Sequence, residues 1–360
     1  MRFDRLDPAP FSIDIGTSEK LVLNANGGDD GSSATGNLAA LIQLTIDGGA
    51  GSDTILGGNG ADVMLGGDGT DFVDGNQGND VGLLGAGDDT FQWDPGDGSD
   101  VVEGQDGTDR MLFNGANVAE NMDVSADGGR VRFFRDVANI TMDLNDIESI
   151  VAKLLGGADR LTVGDLSGTD VVDVTGDLAA AGGGDDLAAD NVVANATTGD
   201  DVATVAAAGA NAHVGGLPAV VTVTGAAPAT DRLTLDGLAG DDVLDGTATV
   251  ANAVPLALDG GDGDDVLLGG AGDDTLLGGA GDDVLLGGGG NDTLDGGPGD
   301  NVVVQSLGAD AVAAGDLAGR EWLDDHADTV DGETVLDVGD EELTLPNAEL
   351  DRLEADIPSP

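Results

Sequence analysis

The sequence predicts an all-β fold: a parallel β-roll or β-solenoid with a looser solenoid spacer between two regular stretches. Three observations predict it: a nine-residue repeat in two arrays, a strand-forming half in every repeat, and a shortage of bulky side chains. The first array opens at Gly48 as GGAGSDTIL, GGNGADVML, GGDGTDFVD, and the second opens at Gly260 as GGDGDDVLL, GGAGDDTLL, GGAGDDVLL, GGGGNDTLD. Their shared form is G-G-x-G-x-D-x-U-x, with a large apolar residue at U.

Each half of the repeat has its own chemistry. Glycine at positions 1, 2 and 4 permits positive φ and close approach of neighbouring backbones, as stacked tight turns require. Positions 7 to 9, such as Thr54-Ile55-Leu56 and Val266-Leu267-Leu268, are β-branched or aliphatic and suit a short strand. A turn plus a short strand reverses the chain, so two units make one coil. Equivalent residues one coil apart then lie one strand spacing from each other, about 4.8 Å. Position-8 side chains should point inward as a narrow ladder: Ile55, Met64, Val73, Phe91, Val102, Met111, then Leu267, Leu276, Leu285, Leu294 and Val303.

Composition agrees. The 360 residues carry 70 Asp plus Glu against 12 Lys plus Arg, a net charge of −58, so any compact state repels itself strongly. Aromatic residues are 2% and Tyr is absent, while much of the 40% apolar content is Ala and Val. A globule of this length needs more bulk, but a solenoid shares a thin core between neighbouring coils.

Stacking also brings the position-6 aspartates together. Asp53 should sit beside Asp71, Asp62 beside Asp80, Asp71 beside Asp89, Asp265 beside Asp283, and Asp274 beside Asp292. Carboxylates at that spacing repel unless a cation lies between them, and carboxylate plus carbonyl oxygen favours calcium over zinc or copper. The candidate metal ligands are Asp53, Asp62, Asp71, Asp80, Asp89, Asp100, Asp109, Asp265, Asp274, Asp283 and Asp292. A solvated acidic turn without any ion is the alternative, because aspartate and glycine are common in turns.

A nonapeptide of this form is already known as the calcium-binding parallel β-helix repeat. On these residues the chain resembles the bacterial RTX family, the haemolysin-type calcium-binding proteins. The resemblance implies several structural Ca²⁺ ions, a β-roll, and an extracellular protein, secreted or on the cell surface, exported in one step by a channel that reads an uncleaved C-terminal segment. With a Kd near 10⁻⁴ M and about ten times that in the medium, each ion adds ~1.4 kcal/mol. Five ions add ~7 kcal/mol, comparable with the stability of a domain. The expectation is a chain that folds on calcium outside the cell.

Several units depart from the pattern. Gly75-Asn76 and Leu84-Gly85 replace the first glycine pair, Gly82 removes an inward side chain, and Trp93-Asp94 add two residues before Pro95. Ligation is least secure from Asp80 onward in this array. Asn301 stands where an aspartate belongs and marks the end of the metal ladder.

The sequence divides into an N-terminal β segment or cap (1–47), the first roll (48–112), a β-rich solenoid spacer (113–257), the second roll (258–304) and a C-terminal cap or export signal (305–360). In the spacer, Arg110, Arg130, Arg132 and Arg135 should pair with local acids such as Asp127, Asp136 and Asp143 in preference to binding a polyanion. DRLTV at Asp159 and DRLTL at Asp231 echo each other. A helical crossover is expected near Leu178–Ala181, and a helical turn over Glu349–Glu354. The pairs Asp185-Asp186, Asp200-Asp201 and Asp241-Asp242 are weaker calcium candidates, lacking the full glycine frame.

No catalytic motif is present: no H-E-x-x-H, no G-x-S-x-G, and only two isolated histidines, His213 and His326. The expectation is a non-enzymatic protein. An accessory module of a longer exported enzyme or toxin, and a calcium-bridged surface or adhesive protein, are the alternatives. Nucleic acid is excluded on charge, no apolar run is long enough for a membrane span, and no cleavable signal peptide is visible near Met1. Absence of cysteine fits an exported protein that relies on metal in place of disulfides, and equally a cytosolic one.

Overall fold

In a computed structural model, the described residues are 19–36, 38 and 42–304. The strands Arg2–Arg5, Phe11–Asp14, Ala311–Val312, Ala327–Val330, Glu333–Val338 and Glu341–Leu345 are described as backbone alone. The chain forms two compact units. The first comprises Met1–Gly115, Asp127–Ala152 and Gly168–Val171, the second Ala116–Ala126, Lys153–Ser167 and Val172–Pro360.

In the first unit, short strands alternate between two sheets, as a direction-reversing repeat demands. One sheet runs Gly31–Ser33, Thr54–Leu56, Phe72–Asp74, Thr90–Trp93, Arg110–Asn114, all parallel. The other runs Lys20–Asn24, Gln43–Ala50, Val63–Asp68, Val81–Ala86, Val101–Asp106, Ile140–Asn145, again parallel, with Arg130–Arg135 added antiparallel to the last. Parallel coils therefore begin at Lys20, ahead of the first full nonapeptide. Register advances by one two-repeat coil at each step, as in Thr45↔Val63 and Val63↔Val81. At Val81↔Val101 and Thr90↔Arg110 the step is two residues longer. The surplus is looped out at a corner, where the Asp97 N–H donates to the Asp94 carbonyl (3.0 Å) and Trp93 Nε1–H donates to the Gly98 carbonyl (2.9 Å).

The core follows the position-8 ladder. Ile55, Met64, Val73, Phe91, Val102 and Met111 are all buried. Gly82 leaves no void, because a Cβ there would meet two ring carbons of Phe91 at 2.9 Å. One large ring fills the place of two side chains. Phe91→Ala is expected to cost about 3–5 kcal/mol, read as a lowered denaturant midpoint in saturating calcium. Further aromatic packing involves Trp93, which stacks on Phe113 (4.1 Å), and Phe113, which packs against Phe133 (4.3 Å). The arginines serve this region. Arg130 pairs with Glu103 (2.8 Å) and Asp143, Arg132 lies over the Phe134 ring, and buried Arg135 reaches toward Trp93. The expected pairing with Asp143 is present.

The second unit repeats the plan with longer coils. One sheet runs Asn121–Asp127, Arg160–Val163, Asn191–Asn195, Arg232–Asp236, Leu256–Asp262, Thr275–Ala280, Thr293–Asp295, Ala311–Val312, all parallel. The other runs Asp173–Ala180, Val220–Thr224, Asn211–Gly215, Val202–Ala208, Val243–Thr249, Val266–Leu268, Val284–Leu286, Val302–Val304. It is parallel except around Asn211–Gly215, which is antiparallel to both neighbours. The helix expected near Leu178–Ala181 is instead the end of a strand. Val174 and Leu178 are buried with Gly176 between them, a period of two that overrides the helix-forming alanines. Among the described residues the only helical element is the 3₁₀ turn Val137–Asn139.

Leu267, Leu276, Leu285 and Leu294 are buried as the repeat requires. Val303 departs from the ladder: it is partly exposed while Val302 and Val304 are buried, because its strand is the last of its sheet among the described residues. Glu333–Val338 pairs antiparallel with Glu341–Leu345. The turn expected over Glu349–Glu354 lies outside the described residues, as does most of the cap or export segment.

Candidate metal centre

Stacked coils place the position-6 acids in columns, and each column is a hydrogen-bonded ladder. The main-chain N–H of one position-6 residue donates to Oδ1 of the aspartate one coil later. In the first unit this joins Asp53 to Asp71 (2.7 Å), Asp71 to Asp89 (2.7 Å), Asp62 to Asp80 (2.7 Å), Asp80 to Asp100 (2.8 Å) and Asp89 to Asp109 (2.9 Å). The two-residue insertion therefore does not break the ladder. In the second unit it joins Asp265 to Asp283 (3.0 Å) and Asp274 to Asp292 (2.9 Å). All these side chains are 3% exposed or less, so each carboxylate is held away from water. Burying a charge in this way is costly unless something pairs with it.

The second oxygen decides what pairs with it. Oδ2 of Asp53, Asp71, Asp80, Asp89, Asp109, Asp265 and Asp283 is buried and makes no hydrogen bond within the protein. The cause is the peptide at position 2. Gly67 and Gly261, four residues before Asp71 and Asp265, have φ of 119° and 105°. With that left-handed conformation the position-2 N–H makes no bond to the carboxylate. Asn301 shows the same corner with an amide in place of the acid: Oδ1 accepts the Asp283 N–H (2.8 Å), and Nδ2 donates to the carbonyl of Gly297, itself at φ 75°. Where the side chain is aspartate, Oδ2 is left as a buried acceptor without a donor.

Asp62 and Asp274 differ. Gly58 and Gly270 lie outside the left-handed region, and their N–H groups donate to Oδ2 (2.7 and 2.8 Å). Oδ1 accepts the N–H of Leu44 and of Leu256 (3.3 and 3.1 Å). These two corners are closed upon themselves, whereas those with a left-handed position 2 are open.

Position 1 corrects an expectation. Gly48 and Gly278 do not adopt positive φ; glycine is needed there for space. A Cβ on Gly48 would collide with Asp53 Oδ2 and lie 2.7 Å from the Gly66 carbonyl, and one on Gly278 would collide with Asp283 Oδ2 and lie 2.7 Å from the Gly296 carbonyl. An orphaned carboxylate oxygen and a carbonyl of the next coil thus converge on one small space. Among the described residues no three acidic or imidazole side chains gather, so an ion here would need further ligands from the main chain. An all-oxygen set of this kind fits calcium.

Protonation tells the same story. Burial pushes Asp80 and Asp265 up to about 8, Asp109 and Asp283 to about 7 and Asp71 to about 6, with neighbouring carboxylates adding to the rise. Each site resists carrying its charge alone.

The ladder extends past the residues legible in the repeat. Asp30 donates its N–H to Asp53 (2.7 Å) and Asp242 to Asp265 (2.8 Å). In the spacer, Glu120 leads to Asp159 (2.8 Å), Asp159 to Asp190 (2.8 Å), Asp190 to Asp231 (3.2 Å), and Asp201 to Asp242 (2.8 Å). Asp159 and Asp242 are open corners with orphaned Oδ2, their position-2 residues being Leu155 (φ 65°) and Leu238 (φ 70°). Asp201 and Asp231 are closed by the N–H groups of Thr197 and Ala227. The recurrence of DRLT at Asp159 and Asp231 was the available signal. Leucine in a left-handed position hid the corner, since a side chain there is disfavoured by about 1–2 kcal/mol. Asp185 and Asp186 instead accept N–H groups of Leu187 and Ala188 and stay off the ladder. An exposed row at position 5 was also missed: Asp300 donates its N–H to Asp282, Asp282 to Asp264, Asp264 to Asp241, and Asp241 to Asp200.

His213 lies on an exposed strand face with Nδ1 3.2 Å from Thr222 Oγ1, and His326 is outside the described residues. No helix among the described residues is long and apolar enough to cross a membrane.

A parallel β-roll whose corners stack buried carboxylates against carbonyls belongs to the class of metal-binding β-solenoids. The model of the RTX calcium-binding nonapeptide repeat (4 copies) matches residues 47–82, 57–91, 96–117, 234–248, 259–294, 268–303 and 277–312. The chain thus carries RTX calcium-binding repeats, and the match at 234–248 takes in the open corner of Asp242. No curated protein matches the chain. Among solved structures it is similar to the extracellular lipase LipA from Serratia marcescens, with 22% identity and a TM-score of 0.20 over 85% of this chain. That similarity spans 39% of the lipase.

Proposed function

We propose that this chain is a non-enzymatic, extracellular calcium-binding protein in which calcium is structural and folding follows export. One observation carries the reading: a column of buried carboxylate oxygens without hydrogen-bond donors, with a carbonyl of the next coil converging on those of Asp53, Asp71, Asp109, Asp265 and Asp283. Asp53, Asp71, Asp80, Asp89, Asp109, Asp265 and Asp283 would hold the ions through Oδ2, joined by carbonyls of their own and the following coil. Asp292, whose position-2 Gly288 is left-handed (φ 86°), belongs with them, and Asp100 completes its column through Oδ1. Asp62 and Asp274 already satisfy both oxygens with N–H groups and would serve as anchors. At cytosolic calcium, far below a Kd of ~10⁻⁴ M, this stabilisation disappears.

Isothermal titration with calcium, followed by far-ultraviolet circular dichroism, tests the reading. Several equivalents should bind, and strand content should rise as they do. Equal strand content in excess chelator at neutral pH would overturn it.

A further inference from the structure

The last corner of the first array is followed by a segment that is not a repeat. Asp109 is fully buried; its Oδ1 accepts the Asp89 N–H (2.9 Å) and its Oδ2 has no donor. Its position-2 residue, Gln105, has φ 78°, so the corner is open. In the arrays, the far side of each open gap comes from the next repeat. Here the following strand is Ile140–Asn145, in register Val101↔Asp143, and the chain turns immediately beyond it.

The Asp146 carbonyl occupies the place of a position-1 carbonyl. A Cβ on Gly104 would collide with it and lie 2.6 Å from Asp109 Oδ2. Glu148 Oε2 then accepts the Asp109 N–H (2.6 Å), the bond that an aspartate Oδ1 accepts elsewhere. The N–H groups of Glu148 and Ser149 fix the turn by donating to the Asp109 carbonyl (3.1 and 3.0 Å). From carbonyl to acid this corner spans Asp146 to Glu148, whereas a repeat spans Gly66 to Asp71. The shorter corner is matched by a side chain one methylene longer.

We infer that Asp109 Oδ2, the Asp146 carbonyl and the Glu148 carboxylate form a calcium site between the last repeat of the first array and the segment after it. The ion ties a non-repeat strand connection to the roll. This inference rests on the open-corner reading above, and Glu148 is a ligand that no repeat pattern marks.

Calcium stoichiometry of the full chain, measured by titration calorimetry and native mass spectrometry, tests it. Glu148→Gln keeps an acceptor for the Asp109 N–H but removes the charge, and should lose one equivalent. Asp127→Asn, at the exposed end of its strand, should lose none, and Glu148→Asp should retain the ion at reduced affinity. Unchanged number and affinity in Glu148→Gln would overturn the inference while leaving the array sites intact. A wild-type chain binding no calcium would instead sink the open-corner reading. If both Glu148 variants lack strand signal at saturating calcium, Glu148 serves folding alone and the inference fails.

Discussion

Stripped of divalent cations at neutral pH, the chain is expected to lose its strand signal, and acidification toward pH 4 to restore much of it without any metal. The sign follows from the corners. In the folded roll, burial and then neighbouring carboxylates raise Asp80 and Asp265 to about 8, Asp109, Asp159, Asp242 and Asp283 to about 7, and Asp71 and Asp190 to about 6. The unfolded chain titrates near the ordinary carboxylate value of about 4. The folded state therefore holds more protons, and this stabilisation is fully present below about pH 4. It fades as pH rises through 6 to 8, the range of the raised values. Calcium replaces the proton as the partner of Oδ2, so the calcium requirement should grow with pH. Thermal melts of metal-free protein from pH 4 to 8, with and without added calcium, measure this. A metal-free melting temperature that climbs between pH 5 and 8 would contradict it.

Asp265→Asn should change sign with the medium. In calcium it removes an ion and lowers stability by about 1.4 kcal/mol or more, taking calcium at ten times its Kd. In chelator it should be more stable than the wild type, by about 1–3 kcal/mol, because a donor replaces an orphaned buried acceptor. Asn301 is the natural precedent: at the same place in its corner, its amide donates to the Gly297 carbonyl. Asp62→Asn should show no such reversal. There both oxygens accept N–H groups, so an amide sets donor against donor and costs about 1–3 kcal/mol in either medium. Paired denaturation curves in calcium and in chelator distinguish the two corners; parallel losses for both variants would remove the distinction between open and closed.

Much of the fold was legible because the repeat carries both halves of its own instructions. Ile55, Met64 and Leu276 face inward, and Asp53 stacks on Asp71, simply because turn and strand alternate with a fixed period. The sequence misled where local composition competed with packing: the alanines after Leu178 read as helix, yet Val174, Gly176 and Leu178 alternate into the core. It was silent where the ladder is made by other residue types. Leu155 and Leu238 take positive φ, and Glu148 does an aspartate's work from a shorter corner.

By itself, the sequence determined the strand period, the inward ladder and the columns of acid at position 6, since these depend only on residue type and spacing. Only the tertiary structure decided which corners give the buried carboxylate a second N–H donor and which withhold it. A glycine at position 2 adopts either sign of φ at little cost, and stacking against the next coil selects one. Likewise, coils of unequal length rejoin the ladder because the corners, not the loops between them, hold the register.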